Sequence, residues 1–159
     1  MGKDASSRGS KGTEAVFHSF LRSYGLLRQI MEPYFARFGV SGPQWGVLRV
    51  LQRAETNGES RLRLKDLGER LFIQPPSVTA VVDRLERLGF VKRSGSKADL
   101  RVRCVGLTGQ GRKLLTKVLE GHAEQIEMLF RPLSASEREA LRNLLTKFEE
   151  HLKAIAPNR

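Results

Sequence analysis

Residues 61–108 contain the feature that most restricts the fold of this chain: two short helical patterns, separated by a brief turn and followed by two strand-like segments. The first pattern repeats apolar residues at helical spacing and predicts an amphipathic helix over 64–71. Residues 72–74 then form the turn. Pro75 and Pro76 predict the start of a second helix, because proline is well tolerated in a first helical turn.

The second helix has one face that can pack and one that can meet a partner. Its apolar stripe is Val78, Val81, Val82, Leu85 and Leu88, and Gly89 with Phe90 predicts its end. The opposite face has small residues in its first turns and basic residues near its end: Pro76, Ser77, Thr79, Ala80, Asp83, Arg84 and Arg87. This arrangement suits a helix in the DNA major groove, with short side chains at base edges and donors near phosphates. An ordinary surface helix with an Asp83–Arg87 ion pair is the alternative.

A basic β-hairpin is predicted after the second helix. Residues 91–93 and 101–107 can pair as antiparallel strands around a loop over 94–100. Alternation predicts a charged face with Arg101, Arg103 and Val105, and a packing face with Val102, Cys104 and Gly106. From Arg84 to Arg103, seven basic residues stand against two acidic ones. We expect this hairpin, called the wing below, to reach phosphates or the adjoining minor groove.

The order LKDLGERL, then PPSVTAVVDRLERLGFVKR, then DLRVRCVGLTGQG resembles the winged helix-turn-helix of the MarR family of bacterial transcriptional regulators. The likeness covers most of the chain, since a helical segment precedes these motifs and two follow. It implies a mainly α fold with a small β wing, in which a winged helix-turn-helix head carries N- and C-terminal dimerisation helices. It also implies that Arg101 enters the minor groove, with Asp99 as its orienting partner.

These motifs and the resemblance together give a set of expected DNA contacts. Thr79 and Ala80 lie where base edges would be, so we expect them to influence which sequence is preferred. The full set is Gln74, Pro76, Ser77, Thr79, Ala80, Arg84, Arg87, Lys92, Arg93, Lys97, Asp99, Arg101 and Arg103.

The composition favours a polyanionic partner. The 159 residues carry a formal net charge of +11, and a hydrophobic content of 40% is enough for a core. No apolar run approaches the ~20 residues that span a bilayer, and no signal-peptide pattern opens the chain, so we expect a cytoplasmic protein with no membrane partner. Phosphate-loop, nucleophile-elbow and dinucleotide motifs are missing from the sequence, and its three histidines are far apart. We therefore expect no enzyme activity, cofactor or metal.

The flanking segments predict four regions: a flexible basic tail over 1–12, an N-terminal dimerisation region over 13–38, the DNA-binding domain over 39–108, and C-terminal dimerisation helices over 109–159. Thr13 is the expected cap of the first helix, and Pro33 should kink it or end it. The next helix starts at a Ser-x-x-Gln capping box at Ser41 and ends near Ala54. A short strand over 61–63 is expected beside the wing.

Two C-terminal helices are predicted after the wing. Thr108 caps the first, residues 131–133 break it, and a Ser-x-x-Glu capping box at Ser134 opens the second. We expect these helices to form an antiparallel hairpin, and we expect the terminal helices to pair across a two-fold axis in a homodimer. The DNA site of such a dimer is a pseudo-palindrome with half-sites about 34 Å apart.

Function beyond DNA binding is less determined by the sequence. The resemblance implies a repressor that releases DNA when it senses a small aromatic or phenolic ligand or an oxidant. A ligand pocket could be lined by Phe17, His18, Phe20, Arg22, Tyr24, Phe35 and Trp45, although aromatic residues at helical spacing more often serve packing. Cys104 is better explained as a small buried hydrophobe than as the oxidant sensor. A nonspecific or architectural DNA-binding protein and a winged-helix interaction module remain alternatives.

Overall fold

The computed structural model describes residues 3–95 and 103–156. This part of the chain divides between two compact units, Met1–Glu120 and Gly121–Arg159. It is mainly helical with a small antiparallel sheet, as predicted. The elements are α1 (Lys3–Ala36), α2 (Gly42–Thr56), β1 (Leu62–Arg63), α3 (Leu64–Leu71), α4 (Pro75–Arg87), β2 (Val91–Gly95), β3 (Arg103–Leu107), α5 (Gly109–Phe130) and α6 (Ala135–Ile155).

The three strands form one sheet in the order β1-β3-β2, and both pairings are antiparallel. The short strand expected beside the wing is confirmed as β1. The loop start predicted at Ser94 is wrong, because Ser94 pairs with Cys104 and Gly95 with Arg103. An antiparallel ladder continues for as long as both strands stay extended, and here it continues two residues past Arg93. Most of the predicted loop, 96–100, lies outside the described residues.

The packing face of β3 is the reverse of the predicted one. Val105 and Leu107 are buried, together with Leu62 and Val91, which stand opposite them in the ladder. Residues directly opposite one another share a face of the sheet, so this face packs into the core. Cys104, on the other face, is half-buried. The prediction was based on the charged residues in the outer part of the wing. It was wrong because the part of β3 next to the helices buries Val105 and Leu107, and the charge pattern of the outer wing does not indicate which face of that part is buried.

The helix-turn-helix follows the sequence prediction closely. A Cβ on Gly68 would lie 3.2 Å from the Ile73 carbonyl oxygen and 3.3 Å from Val78 Cγ2, which explains the glycine in α3. In α4, Val78, Val82 and Leu85 are buried, and Gly89 has the predicted left-handed backbone, with φ 76°. Leu88 is exposed rather than packed, because α4 ends at Arg87 and the chain turns there.

Phe72 closes α3 in the left-handed region, with φ 54° and ψ 35°. Among the described residues it is the only residue other than glycine with a positive φ. This conformation costs a residue with a Cβ about 1–2 kcal/mol. The Phe72 side chain is 62% exposed, so burial of the ring does little to offset that cost.

Helix α1 starts earlier than predicted, and of the two outcomes predicted at Pro33, an end of the helix is the one that does not occur. It begins at Lys3 rather than Thr13, and thus includes most of the segment assigned to a tail. Adding residues to an existing helix needs no new nucleation, which lets a Gly/Ser-rich sequence continue it. The helix also continues past Pro33 to Ala36, because the next turn is held by the buried side chains of Tyr34 and Phe35. The Tyr34 hydroxyl donates a 2.5 Å hydrogen bond to the Val118 carbonyl oxygen.

The predicted caps of the other long helices are confirmed. Ser41 and Gln44 form the capping box of α2, and Ser134 and Glu137 that of α6. Thr108 Oγ1 accepts a 3.0 Å hydrogen bond from the Gly111 N–H at the start of α5. Helix α2 buries its predicted residues Trp45, Leu48 and Leu51 at the centre of the core.

The prediction that α5 and α6 pack as an antiparallel hairpin is wrong. The first turns of α6 meet the end of α5 through Arg138, which bonds to Glu127 and to the Phe130 and Leu133 carbonyl oxygens. Beyond Leu141 every described α6 residue is exposed, so the apolar stripe of α6 has no cover from the end of α5. Helical spacing identified that stripe but could not identify what it packs against. Among the described helices, none combines the length and apolar character needed to cross a membrane.

Candidate nucleic-acid interface

The outer face of α4, called the recognition helix below, is open to solvent along its whole length. Gln74 is its N-cap, in an extended conformation, and two prolines start the first turn. The buried stripe on the opposite side fixes which residues face outwards. Gln74 is exposed, and so is every residue predicted for this face: Pro76, Ser77, Thr79, Ala80, Asp83, Arg84 and Arg87.

Basic residues continue from the recognition helix onto the wing. Lys92 on β2 is exposed, and Arg103 begins β3 opposite Gly95. Arg61, which the sequence prediction missed, is exposed just before β1 and donates a 2.8 Å hydrogen bond to Ser94 Oγ on β2. The predicted contact residues Lys97, Asp99 and Arg101 lie outside the described residues. The interface therefore joins a helix face of small side chains to a basic strand.

Arg93 differs from the other basic residues of the set, because its side chain is only 16% exposed. Its guanidinium is 2.5 Å from both Glu86 Oε2 and Asp83 Oδ1, and its backbone N–H donates to Glu86 Oε1 at 2.8 Å. Asp83 thus pairs with Arg93, whereas the alternative considered from the sequence paired it with Arg87. These contacts tie the first strand of the wing to the recognition helix.

The ion pairs at this junction shift the acid–base equilibria of both partners. The hydrogen bond from the Arg93 backbone, followed by the contacts of its guanidinium, lowers the pKa of Glu86 despite the opposing effect of burial. Burial acts to lower the pKa of Arg93, but its hydrogen bonds to Glu86 and Asp83 outweigh burial and raise it. Both side chains are therefore charged across the physiological range.

A second junction joins the recognition helix, the wing and α5. Thr108 Oγ1 donates to the Gly89 carbonyl oxygen at 2.6 Å, and the Thr108 N–H donates to the Phe90 carbonyl oxygen at 3.1 Å. Gly111 lies so close to Phe90 that a Cβ would be 2.1 Å from the same carbonyl oxygen. The next residue of α5, Arg112, forms a two-contact ion pair with Glu55 of α2, at 2.7 and 3.0 Å. These bonds hold the recognition helix in place from its C-terminal end.

This arrangement of helices and wing agrees with comparisons to known proteins. A family model described as MarR family matches residues 38–101, from the end of the first helical region into the wing. Over these residues the chain is similar to the MarR family. The likeness supports a winged helix-turn-helix of the kind found in MarR-family transcriptional regulators, as the sequence motifs indicated.

Individual members of the MarR family resemble the chain over most of its length. The transcriptional repressor YetL of Bacillus subtilis is 28% identical over 144 residues, which are 91% of this chain and 84% of YetL. The structure of Bordetella bronchiseptica BpsR, whose DNA binding is regulated by 6-hydroxynicotinic acid, is 25% identical with a TM-score of 0.75, covering 85% of this chain and 98% of BpsR. Escherichia coli MarR in complex with operator DNA shares the fold, at 21% identity and a TM-score of 0.77 over 84% of this chain and 93% of that one.

The residues predicted for a ligand pocket fall into two groups in this chain. Phe17, His18, Phe20, Arg22 and Tyr24 are all exposed on α1. Phe35 and Trp45 are buried and stacked on each other, with ring centroids 5.5 Å apart. The pocket remains a prediction, and in a single chain the second group serves as core.

Two polar residues beside the buried pair were missed by the sequence prediction. Gln44 is 5% exposed, and its Nε2 has no hydrogen-bond partner in the described part of the chain. Arg49 is half-buried, with its guanidinium over the Trp45 ring, 5.6 Å from the centroid. Burial, and secondarily the charge of Arg53, lowers the pKa of Arg49. Only the position of Gln44 within a capping box marked either residue in the sequence.

Proposed function

We propose that this MarR-family regulator is a homodimeric repressor that recognises a pseudo-palindromic operator. Each protomer places the outer face of α4 in a major groove and its wing at the adjoining minor groove. The open face of the recognition helix carries the proposal: small residues stand in its first turns, and Arg84 and Arg87 are exposed near its end. A DNA regulator acts at the chromosome, so we assign the protein to the cytoplasm.

Arg93 has a different role from the other predicted DNA contacts in this proposal. Its guanidinium is occupied by Glu86 and Asp83, so it acts as a positioning residue that sets the wing against the recognition helix. The phosphate contacts then come from Arg84, Arg87, Lys92 and Arg103, together with Lys97 and Arg101 of the outer wing. Thr79 and Ala80 lie where they can meet base edges.

Dimerisation is supported by uncovered apolar faces on the terminal helices. On α1, Phe17, Leu21, Tyr24 and Ile30 are each about half exposed, between 48% and 54%. The stripe of α6, which includes Leu144, Leu145, Leu152 and Ile155, is likewise exposed. Monomeric proteins rarely leave so much contiguous apolar surface in water, and a symmetric dimer can cover it.

A small aromatic anion is the proposed effector. BpsR supports this choice, because its DNA binding responds to 6-hydroxynicotinic acid. In this chain the aromatic residues of α1 could enclose such a ring when two copies meet, while Arg49 and the unpartnered Gln44 Nε2 offer donors to a carboxylate. Release by oxidation of Cys104 is the alternative. Its half-buried position in the sheet favours a packing role.

Fluorescence anisotropy with a pool of genomic fragments tests the proposal, if the pool includes the DNA upstream of the protein's own gene. We expect selective retention of one pseudo-palindromic fragment over excess random competitor, and release of it by hydroxylated aromatic carboxylates. The charge of +11 favours one competing function, nonspecific DNA binding. Equal affinity for every fragment, with a steep salt dependence, would establish that function instead.

A further inference from the structure

The sheet of the wing has a positively charged face on the side opposite its buried residues. Leu62, Val91 and Val105 are buried on the inner side, and side chains alternate along a strand. The outer face therefore carries Arg61, Arg63, Lys92, Ser94, Cys104 and Gly106. Its three basic residues are exposed, and among the described side chains none of the three has an ion-pair partner. Such a face is suited to an anionic partner.

The Arg61 side chain runs along this face towards the outer end of the wing. Its stem crosses Gly106, where a Cβ would lie 3.1 Å from Arg61 Cγ and 3.0 Å from the Ser60 carbonyl oxygen. Its guanidinium then donates to Ser94 Oγ at 2.8 Å. Ser94 is two residues farther out along the hairpin than Lys92, the residue opposite Gly106. Glycine at position 106 thus leaves room for an arginine whose charge is held well out along the sheet.

Arg63 brings a second guanidinium to the same level of the face. In the ladder Arg63 is opposite Cys104, and Cys104 is opposite Ser94, so these residues form one row across the three strands. The Arg61 guanidinium reaches this row at Ser94. Asp66 accepts a 3.3 Å hydrogen bond from the Arg63 backbone N–H, and the serine hydroxyl is neutral. The row therefore places two guanidinium groups close together without a described carboxylate paired to either.

The direction of this face determines which phosphates it can reach. Arg93 ties the inner side of β2 to Asp83 and Glu86 of the recognition helix, so the outer face is turned away from that helix. A minor groove has one phosphate backbone along each side. A wing inserted into the groove has the backbone nearer the recognition helix on its inner side, and the backbone that borders the flanking DNA on its outer side.

We infer that Arg61 and Arg63 bind phosphates on the far side of the minor groove, and that the operator thereby extends into the DNA that flanks each half-site. A guanidinium suits this role, because its planar set of N–H donors matches phosphate oxygens, and the donor that meets Ser94 leaves others available. The inference rests on the proposed function, since it requires the wing to enter the minor groove. It adds two residues that contact neither base edges nor the half-site itself.

Salt titrations of the operator fragment test the phosphate contacts. Arg61→Gln and Arg63→Gln should each weaken binding about two- to fivefold, the range of an exposed ion pair. Each should lower the slope of log affinity against log salt by about one, and the double variant by about two. Arg61→Lys keeps the charge and should keep the wild-type slope. The matched control is Lys117→Gln, which removes an exposed charge farther along α5 and should also keep it.

Duplex length locates the phosphates. One duplex ends at the minor groove that the wing contacts, and the other continues for about five base pairs more at each end, half a helical turn. The wild type and Lys117→Gln should bind the longer duplex more tightly. The double variant of Arg61 and Arg63 should lose most of that difference, because its outer face no longer attracts the added phosphates.

Ser94→Ala separates phosphate binding from mechanical support of the wing. This variant removes the partner of Arg61 but leaves both charges, so its salt slope should match that of the wild type. If Arg61→Gln also keeps the wild-type slope, and Ser94→Ala reproduces its loss of affinity, Arg61 supports the wing and the inference is overturned.

The remaining outcomes distinguish this inference from the proposed function. Selective wild-type binding with unchanged slopes in both glutamine variants overturns the inference alone. Lowered slopes without any effect of duplex length place the phosphates inside the half-site, which also contradicts it. Wild-type protein that binds operator and random DNA equally overturns the proposed function and, with it, the extended operator.

Discussion

Glu86 accepts two hydrogen bonds from one residue, Arg93: the backbone N–H donates at 2.8 Å and the guanidinium at 2.5 Å. Glu86 belongs to the recognition helix and Arg93 to the first strand of the wing. The pair therefore sets the angle between the two elements that are expected to contact DNA. The sequence suggested that Arg93 binds phosphate, but its guanidinium instead forms ion pairs with two carboxylates of the recognition helix, Asp83 and Glu86.

Arg93→Ala should lower operator affinity without changing the number of phosphate contacts. We expect a loss of about 1–2 kcal/mol in the free energy of unfolding, since hydrogen bonds to charged groups are lost from a partly exposed site. The slope of log affinity against log salt should match that of the wild type. Lys92→Ala, its exposed neighbour, is the comparison, and its slope should fall by about one. A reduced slope for Arg93→Ala would make Arg93 a phosphate contact after all.

Acid should weaken the junction between the wing and the recognition helix. The folded-state pKa of Glu86 is lowered, so its ion pair contributes stability above the unfolded pKa, and that contribution is lost as pH falls through the lower folded value. Thermal melts from pH 7 to below about 4 should show a smaller decline for Glu86→Gln than for the wild type. Equal declines would mean that this carboxylate carries none of the acid sensitivity.

Gly111→Ala should disrupt the junction at the start of α5. The new Cβ would lie 2.1 Å from the Phe90 carbonyl oxygen, so the helix must move away, at about 3 kcal/mol or more in the free energy of unfolding. Gly109→Ala is the control, because nothing lies within 4 Å of its Cβ position. Urea denaturation of the two variants measures the difference, and similar midpoints would contradict the close approach.

Charge on the apolar stripe of α6 should separate the proposed dimer. Leu145→Glu with Leu152→Glu puts two carboxylates on one exposed face, and sedimentation should then show a monomer. Operator affinity should fall about 100-fold or more, because the second half-site is no longer held at high effective concentration. Asn143→Glu, an exposed polar position in α6, should remain dimeric. A double variant that still sediments as a dimer places the interface elsewhere.

Arg101→Ala should weaken operator binding by about 1–3 kcal/mol, if the wing enters the minor groove as the family resemblance implies. Competition titrations against random DNA measure the change. Unchanged affinity for the preferred fragment would remove Arg101 from the interface.

Much of the head was predictable from the sequence, because each of its elements has a local cause. Prolines 75 and 76 marked the start of the recognition helix, Gly89 marked its end, and capping boxes marked α2 and α6. The exposure of the outer α4 face followed from helical geometry once the buried valines were assigned. Signals of this kind act within a few residues, so the tertiary structure does not change what they specify.

Long-range relationships were the part that the sequence could not provide. The pairing of Arg93 with Asp83 and Glu86 depends on the angle at which β2 leaves the recognition helix, and no spacing rule gives that angle. The inner face of β3 was misassigned because both faces carry apolar residues. Helix α1 continues past Pro33 because Tyr34 and Phe35 are buried, a tertiary effect that outweighs the local preference.

The bonds around Thr108 and Gly111 have a consequence for how such a protein can be switched. The end of the recognition helix, the wing and the first turn of α5 are joined by hydrogen bonds within a few residues, so these elements are coupled to one another. Bending the reading surface would break several of these bonds at once, whereas rotating the whole body would break none. In the proposed dimer, an effector would need only to change the separation of two such units. A displacement too small to disturb either unit would be enough to move both recognition helices away from the spacing of successive major grooves.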